Sequence, residues 1–236
     1  MDEFLRDIES RWQSWNVTAV AESVSPLWLV GVGLLVGLIL AINPAYLLTR
    51  HVVTFTHEGG HAVVGLLTGR KLAGIHLHTD SSGATITAGR PGVGRVLTAA
   101  AGYPAPAVVA GLLMAAVLTD TSAFAITIGA ALTAILLAFT RNLWGFIVTL
   151  FVLVGFIVVL RWLPIGLIPL VTSAAVSLLA VGALRDLLVE RRARRVAITD
   201  VKSISLDTNA PGWFVWLVLA GISIAGLVLP TLMVLW

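Results

Sequence analysis

The chain has 236 residues, 58% of them hydrophobic and 11% charged, and its mean hydropathy is +0.98. These values lie outside the range of soluble globular domains and predict a membrane protein. The absence of cysteine excludes disulfides, thiolate metal sites and cysteine nucleophiles, and the net charge of +3 falls in short basic segments between apolar runs, which reads as topology signals and against nucleic acid.

Residues 1–25 space Phe4, Leu5, Ile8, Trp12 and Trp15 along one helical face, with Asp2, Glu3, Asp7, Glu9 and Arg11 elsewhere. This pattern predicts a cytoplasmic, interfacial amphipathic helix. The acidic start and the lack of a small-residue cleavage site argue against a signal peptide. Seven apolar runs follow, at about 26–43, 46–69, 94–118, 122–140, 143–160, 163–185 and 213–235, against the ~20 residues a spanning helix needs. Only Arg141-Asn142 and Arg161-Trp162 interrupt the fourth to sixth. The fold expected is an all-α polytopic membrane protein of about seven transmembrane helices occupying residues 26–236. With the N-terminus in the cytoplasm, the inner segments hold Arg70, Lys71, Arg90, Arg95, Arg141 and a basic loop over 186–212, whereas the outer ones hold Arg50 and Arg161. That asymmetry places the N-terminus inside, at the cell membrane.

After the second run, residues 71–90 alternate in "AGIHLHT" and "ATIT" around Asp80, Ser81, Ser82 and Gly83, which predicts a small membrane-associated β-hairpin.

The second run carries "THEGGHAVVG" in its middle. On a helix, His57 and His61 are four residues apart and direct their imidazoles at one point, with Glu58 beside them. His-Glu-x-x-His is the arrangement of a zinc hydrolase: the metal brings the pKa of a water to ~7, and the glutamate takes its proton and later delivers it to the leaving amine. Ionisable groups inside a bilayer cost several kcal/mol unless they pair, coordinate or face water, so three within one turn require a function. With a rise of about 1.5 Å per residue, His57 and His61 lie roughly 18 and 12 Å from the helix end at Gly69. Gly59 and Gly60 each cost ~1 kcal/mol relative to alanine in a helix, and with Gly65 and Gly69 they offer a small-residue face for close approach by another helix or an extended substrate.

A catalytic zinc takes three protein ligands. The other histidines are His51, His76 and His78, and the carboxylates beyond the N-terminal segment are Asp80, Asp120, Asp186, Glu190, Asp200 and Asp207. His51 faces away from His57 on the helix, Asp120 belongs at the outer surface, and His76 and His78 sit on the hairpin. Asp186, at the cytoplasmic end of the sixth run in "AVGALRDLL", is the first candidate for the third ligand, and Asp200, in "VAITDV", is the second.

The stretch "FTHEGGHAVVGLLTGRKLAGIHLHTDSSG" resembles the start of the M50 metallopeptidases, the site-2 proteases, and specifically their M50B-like branch. "AAAGYPAPAVVAG", "TRNLWGF", "ALRDLL", "VAITDV" and "APGWFVWLVLAG" follow in that branch's order and spacing, so that the resemblance covers nearly the whole chain from about residue 26. It implies a zinc-dependent intramembrane metalloprotease that cleaves transmembrane segments of membrane-anchored proteins. His57 and His61 would be metal ligands, Glu58 the catalytic base, and Asp186 and Asp200 the matching acids. Gly102, in the glycine-bearing start of the third run, and Asn142 would lie against the substrate, which the hairpin would present as an added strand. The chain departs from better known site-2 proteases, whose third ligand is the aspartate of an Asn-x-x-Pro…Asp-Gly motif. Here Asn142 is followed by no aspartate until Asp186. That departure keeps open a catalytically inactive relative that binds transmembrane helices, and the seven runs with intramembrane histidines keep open a metal permease.

Overall fold

The computed structural model describes residues 26–193 and 199–236. The expected amphipathic segment 1–25 lies outside them, as do Arg194 and Arg195. Helix α1 (Pro26–Ala41) runs to a break at Ile42, whose extended backbone leads into α2 (Asn43–Leu67), with Pro44 in the first turn, where a missing N–H costs nothing. Gly69, at φ +75°, stops α2, and the Arg70 N–H donates back to the Gly65 carbonyl at 2.9 Å.

The hairpin forms as the alternation predicts. Strands β1 (Lys71–Leu77) and β2 (Gly83–Ala88) pair antiparallel, Leu77 with Gly83 and Ile75 with Thr85. The Asp80 carboxylate accepts the Ser82 N–H at 2.9 Å, an Asx turn that lets Ser81 take a left-handed φ of 64°. Residues 139–142, the end of the fourth apolar run and the Arg141-Asn142 interruption after it, run along the far edge of β1. The Ile75 N–H donates to Phe139 O and the Arg141 N–H to Ile75 O, each at 2.9 Å, in a parallel bridge. Asn142 continues the pairing with its side chain: the Leu77 N–H donates to Oδ1 at 3.1 Å, and Nδ2 donates to Leu77 O at 2.6 Å. Phe55 and Ala62 of α2, Ile75 and Leu77 of β1, and Leu136 and Val148 beyond it form one apolar cluster that seats the sheet on α2.

The run at 94–118 is a broken helix. Helices α3 (Val93–Ala100) and α4 (Pro104–Leu118) meet at 64° around Ala101-Gly102-Tyr103. Pro104 supplies no N–H to continue α3 and starts α4 with a preset φ. Then come α5 (Ser122–Leu137), α6 (Leu143–Trp162), a 3₁₀ turn (Ile165–Leu167), α7 (Ile168–Ala193), α8 (Asp200–Thr208) and α9 (Gly212–Leu235). The segment 186–212, expected as a basic loop, is therefore largely helical, holding the last turns of α7 and the whole of α8. Helices α4 and α9 touch backbone to backbone, since a Cβ on Gly111 would overlap the Gly226 carbonyl and one on Gly226 would overlap Val108.

Among the described residues, three helices are long and apolar enough to cross a bilayer, spanning Leu143–Trp162, Ile165–Glu190 and Gly212–Val234, and the bent α3–α4 pair makes a fourth. These account for three to four of the seven expected. Helix α2 is long enough, with 25 residues, but Arg50, His51, His57, Glu58 and His61 dilute its hydropathy. Helix α5 is apolar but has only 16 residues. Phe151 on α6 and Leu217 on α9 are exposed, as lipid-facing side chains would be.

Candidate metal centre

Two elements far apart in sequence build the site. From α2, the Nε2 atoms of His57 and His61 lie 3.2 Å apart, and Asp200 Oδ2 lies 3.2 Å from each. Four tetrahedral ligands at the ~2.0–2.1 Å usual for zinc stand about 3.3 Å from one another, so this near-equilateral triangle has the edge length of one face of a zinc site. The trio is the one group of metal-competent side chains found among the described residues.

The histidines are fixed from behind. His61 donates from Nδ1 to the Thr98 carbonyl at 2.7 Å, which leaves Nε2 as its lone-pair atom. The His57 ring stands edge-on to Tyr103, with centroids 4.9 Å apart. Asp200 opens α8, capped by Thr199, whose Oγ1 accepts the Lys202 N–H at 3.3 Å. Val201 and Ile204 anchor that short helix in a cluster with Val215 and Leu219 of α9. Burial pushes the Asp200 carboxyl up, but when both imidazoles are protonated, with no ion between them, their Nε2–H groups outweigh it and hold the carboxyl well below the usual carboxylate range.

Gly102, at the break between α3 and α4, lies directly over the ligand atoms, and a Cβ there would overlap Nε2 of both histidines. A Cβ on Gly60 would lie 2.8 Å from the Ala101 carbonyl, so the same break is pressed against α2 one turn away. The helix break thus lies closely against the two histidine ligand atoms.

Glu58 is 5% exposed and points under β2. The Thr85 hydroxyl donates to Glu58 Oε2 at 2.7 Å and also lies 3.0 Å from the Glu58 carbonyl. Gly83 is equally close, since a Cβ there would stand 2.7 Å from Glu58 Oε1.

Of the two expected third ligands, Asp200 joins the histidines and Asp186 does not. Asp186, on α7, lies beside Tyr46 and within the electrostatic reach of His57 and Arg50, outside the trio. The Asn142 amide is engaged by Leu77 rather than open at the site. His51 packs against Trp144 at 5.5 Å, and His78 is exposed on the hairpin. Sequence reasoning passed over Thr85, Thr98, Tyr103 and Glu190. A signal existed for Glu190, which lies one turn beyond Asp186 on the same helix face.

An apolar, membrane-spanning helical scaffold with a histidine, histidine and carboxylate trio beside a buried glutamate defines a membrane protein of hydrolase type. Residues 30–230 match the family described as Peptidase M50B-like, and the chain belongs to that family of peptidases. No curated protein and no solved structure matches it.

Proposed function

We propose that the protein is a zinc-dependent intramembrane metalloprotease that cleaves transmembrane segments of membrane-anchored proteins. The observation that carries this reading is the 3.2 Å triangle of His57, His61 and Asp200, with Gly102 kept bare above it. These three residues would hold a zinc ion, which when bound would supply Lewis acidity towards the scissile carbonyl and water. Glu58 takes the proton of the attacking water on its carboxylate and passes it to the leaving amine nitrogen. The Thr85 hydroxyl keeps that carboxylate oriented, at 2.7 Å.

Peptide bonds in a transmembrane helix are shielded by their own hydrogen bonds, so cleavage requires local unwinding and a new partner for the exposed backbone. The sheet supplies one edge. Residues 139–142 occupy the edge of β1, and β2 forms the other side, starting directly on Glu58 at Gly83 and Thr85. An unwound substrate added to β2 passes alongside the general base. Asn142 then serves the substrate through the sheet, by fixing β1, and Gly102 serves it by leaving room over the ligands. The N-terminus is cytoplasmic and the membrane is the cell membrane in this reading, following the distribution of arginine and lysine.

The test is cleavage of a transmembrane substrate by the full chain in liposomes. Wild type cleaves it, a chelator abolishes cleavage and zinc restores it. Glu58→Gln keeps its zinc and loses turnover. Glu58→Gln turnover equal to wild type would refute the proposal.

A further inference from the structure

Glu190 is a carboxylate with 1% exposure, placed near the end of α7 where no step of the chemistry above uses it. Desolvating such a group is costly unless each oxygen finds a donor. Its donors come from two places. The Tyr103 hydroxyl donates to Oε2 at 2.8 Å, and the Thr199 hydroxyl donates to Oε1 at 2.7 Å.

Those two donors are the chain neighbours of the site's two non-histidine parts. Tyr103 follows Gly102, the bare residue over the ligand atoms, and Thr199 precedes Asp200, the third ligand. Tyr103 also stands edge-on to the His57 ring, with centroids 4.9 Å apart. The contacts close into a ring: Asp200 to His57, His57 to Tyr103, Tyr103 to Glu190, Glu190 to Thr199, and Thr199 by the chain back to Asp200. One rigid carboxylate therefore sets the distance between the α3–α4 break and the start of α8, the two pieces that must close on α2 to complete the site. The same part of α7 is tied to α9, because Trp216 Nε1 donates to the Leu187 carbonyl at 2.9 Å.

We infer that Glu190 is a positioning residue of the metal centre: by clamping Tyr103 and Thr199 together it aims Asp200 at the two histidines and sets the height of Gly102 above them. The inference rests on the zinc reading of the site. It does not make Glu190 a ligand or a proton carrier.

The experiment is zinc competition against a chromogenic chelator, on the purified full chain in detergent, well below the unfolding temperature of each variant. Groups that orient metal ligands typically contribute tenfold to a hundredfold in affinity. Glu190→Ala is expected to weaken zinc binding by a factor in that range, and Glu190→Gln, which keeps one acceptor oxygen, by less. Tyr103→Phe removes one hydroxyl and nothing else, and is expected to weaken binding about tenfold, within the range for such outer groups. In a Glu190→Ala background Tyr103→Phe has no further effect, because its influence passes through the missing carboxylate. Should Glu190→Ala fail to fold, Glu190→Gln and Tyr103→Phe decide the matter. Affinity equal to wild type in these folded variants, even with a lowered melting temperature, would overturn the inference and leave the zinc reading standing. A wild type that takes up no zinc, or an Asp200→Asn variant that binds it as wild type does, would instead overturn the reading beneath it.

Discussion

Gly102 sits over His61 with no room for a single extra carbon, because a Cβ would overlap the Nε2 atom of His61 and that of His57 together. Its backbone is not among those with positive φ, so glycine is required there for space and not for conformation. Gly102→Ala is therefore expected to fold and to lose zinc. Metal content and melting temperature measured on the same preparation check this: zinc affinity falls by at least about tenfold, the scale seen when groups that orient metal ligands are disturbed, while the fold persists.

The hydroxyl of Thr85, on β2, donates to Glu58. A hydrogen bond to a charged group contributes about 1.5–3 kcal/mol, and the ligand triangle does not depend on this one. Thr85→Val is thus expected to retain stoichiometric zinc and to lower kcat by roughly tenfold to a hundredfold, whereas Thr85→Ser keeps most of the rate. A Thr85→Val enzyme with full turnover would show that β2 covers Glu58 without orienting it.

Asn142 replaces a strand residue with its side chain, satisfying both backbone groups of Leu77. Leu77 is 1% exposed, so truncating the amide strands a buried N–H and carbonyl, at about 1–3 kcal/mol each. Asn142→Ala should lower thermal stability by that order and loosen hydrogen exchange at Leu77. Its zinc affinity should stay at the wild-type level, since no ligand contacts the sheet edge.

The parts of this molecule legible in sequence were those governed by local spacing. His57, Glu58 and His61 share one helical turn, and the alternation around Asp80 and Ser81 gives the hairpin, although Gly83, expected in the turn, begins its second strand. For the third ligand, local pattern favours Asp186, which ends an apolar run on the cytoplasmic side, over Asp200, whereas the structure brings Asp200 to the histidines. What separates them is tertiary: Val201 and Ile204 pin α8 so that Asp200 turns toward α2, while Asp186 lies near Tyr46. The course of the chain within and between the apolar runs was hidden for a similar reason. Hydropathy sees apolar content, and it does not see that Pro104 breaks one run into two helices or that Asn142 and its neighbours leave the helix to extend a sheet.

The relation most central to the account is the convergence of Asp200 on the two histidines across 143 residues of chain from His57. Zinc stoichiometry and affinity measured on purified wild type, Asp200→Asn and Asp186→Asn test it directly. Close to one zinc per chain is expected for wild type and Asp186→Asn, with affinity reduced in Asp200→Asn by about a hundredfold or more, beyond the loss of a group that only orients a ligand. Zinc bound equally well by Asp200→Asn, or lost instead in Asp186→Asn, would contradict it.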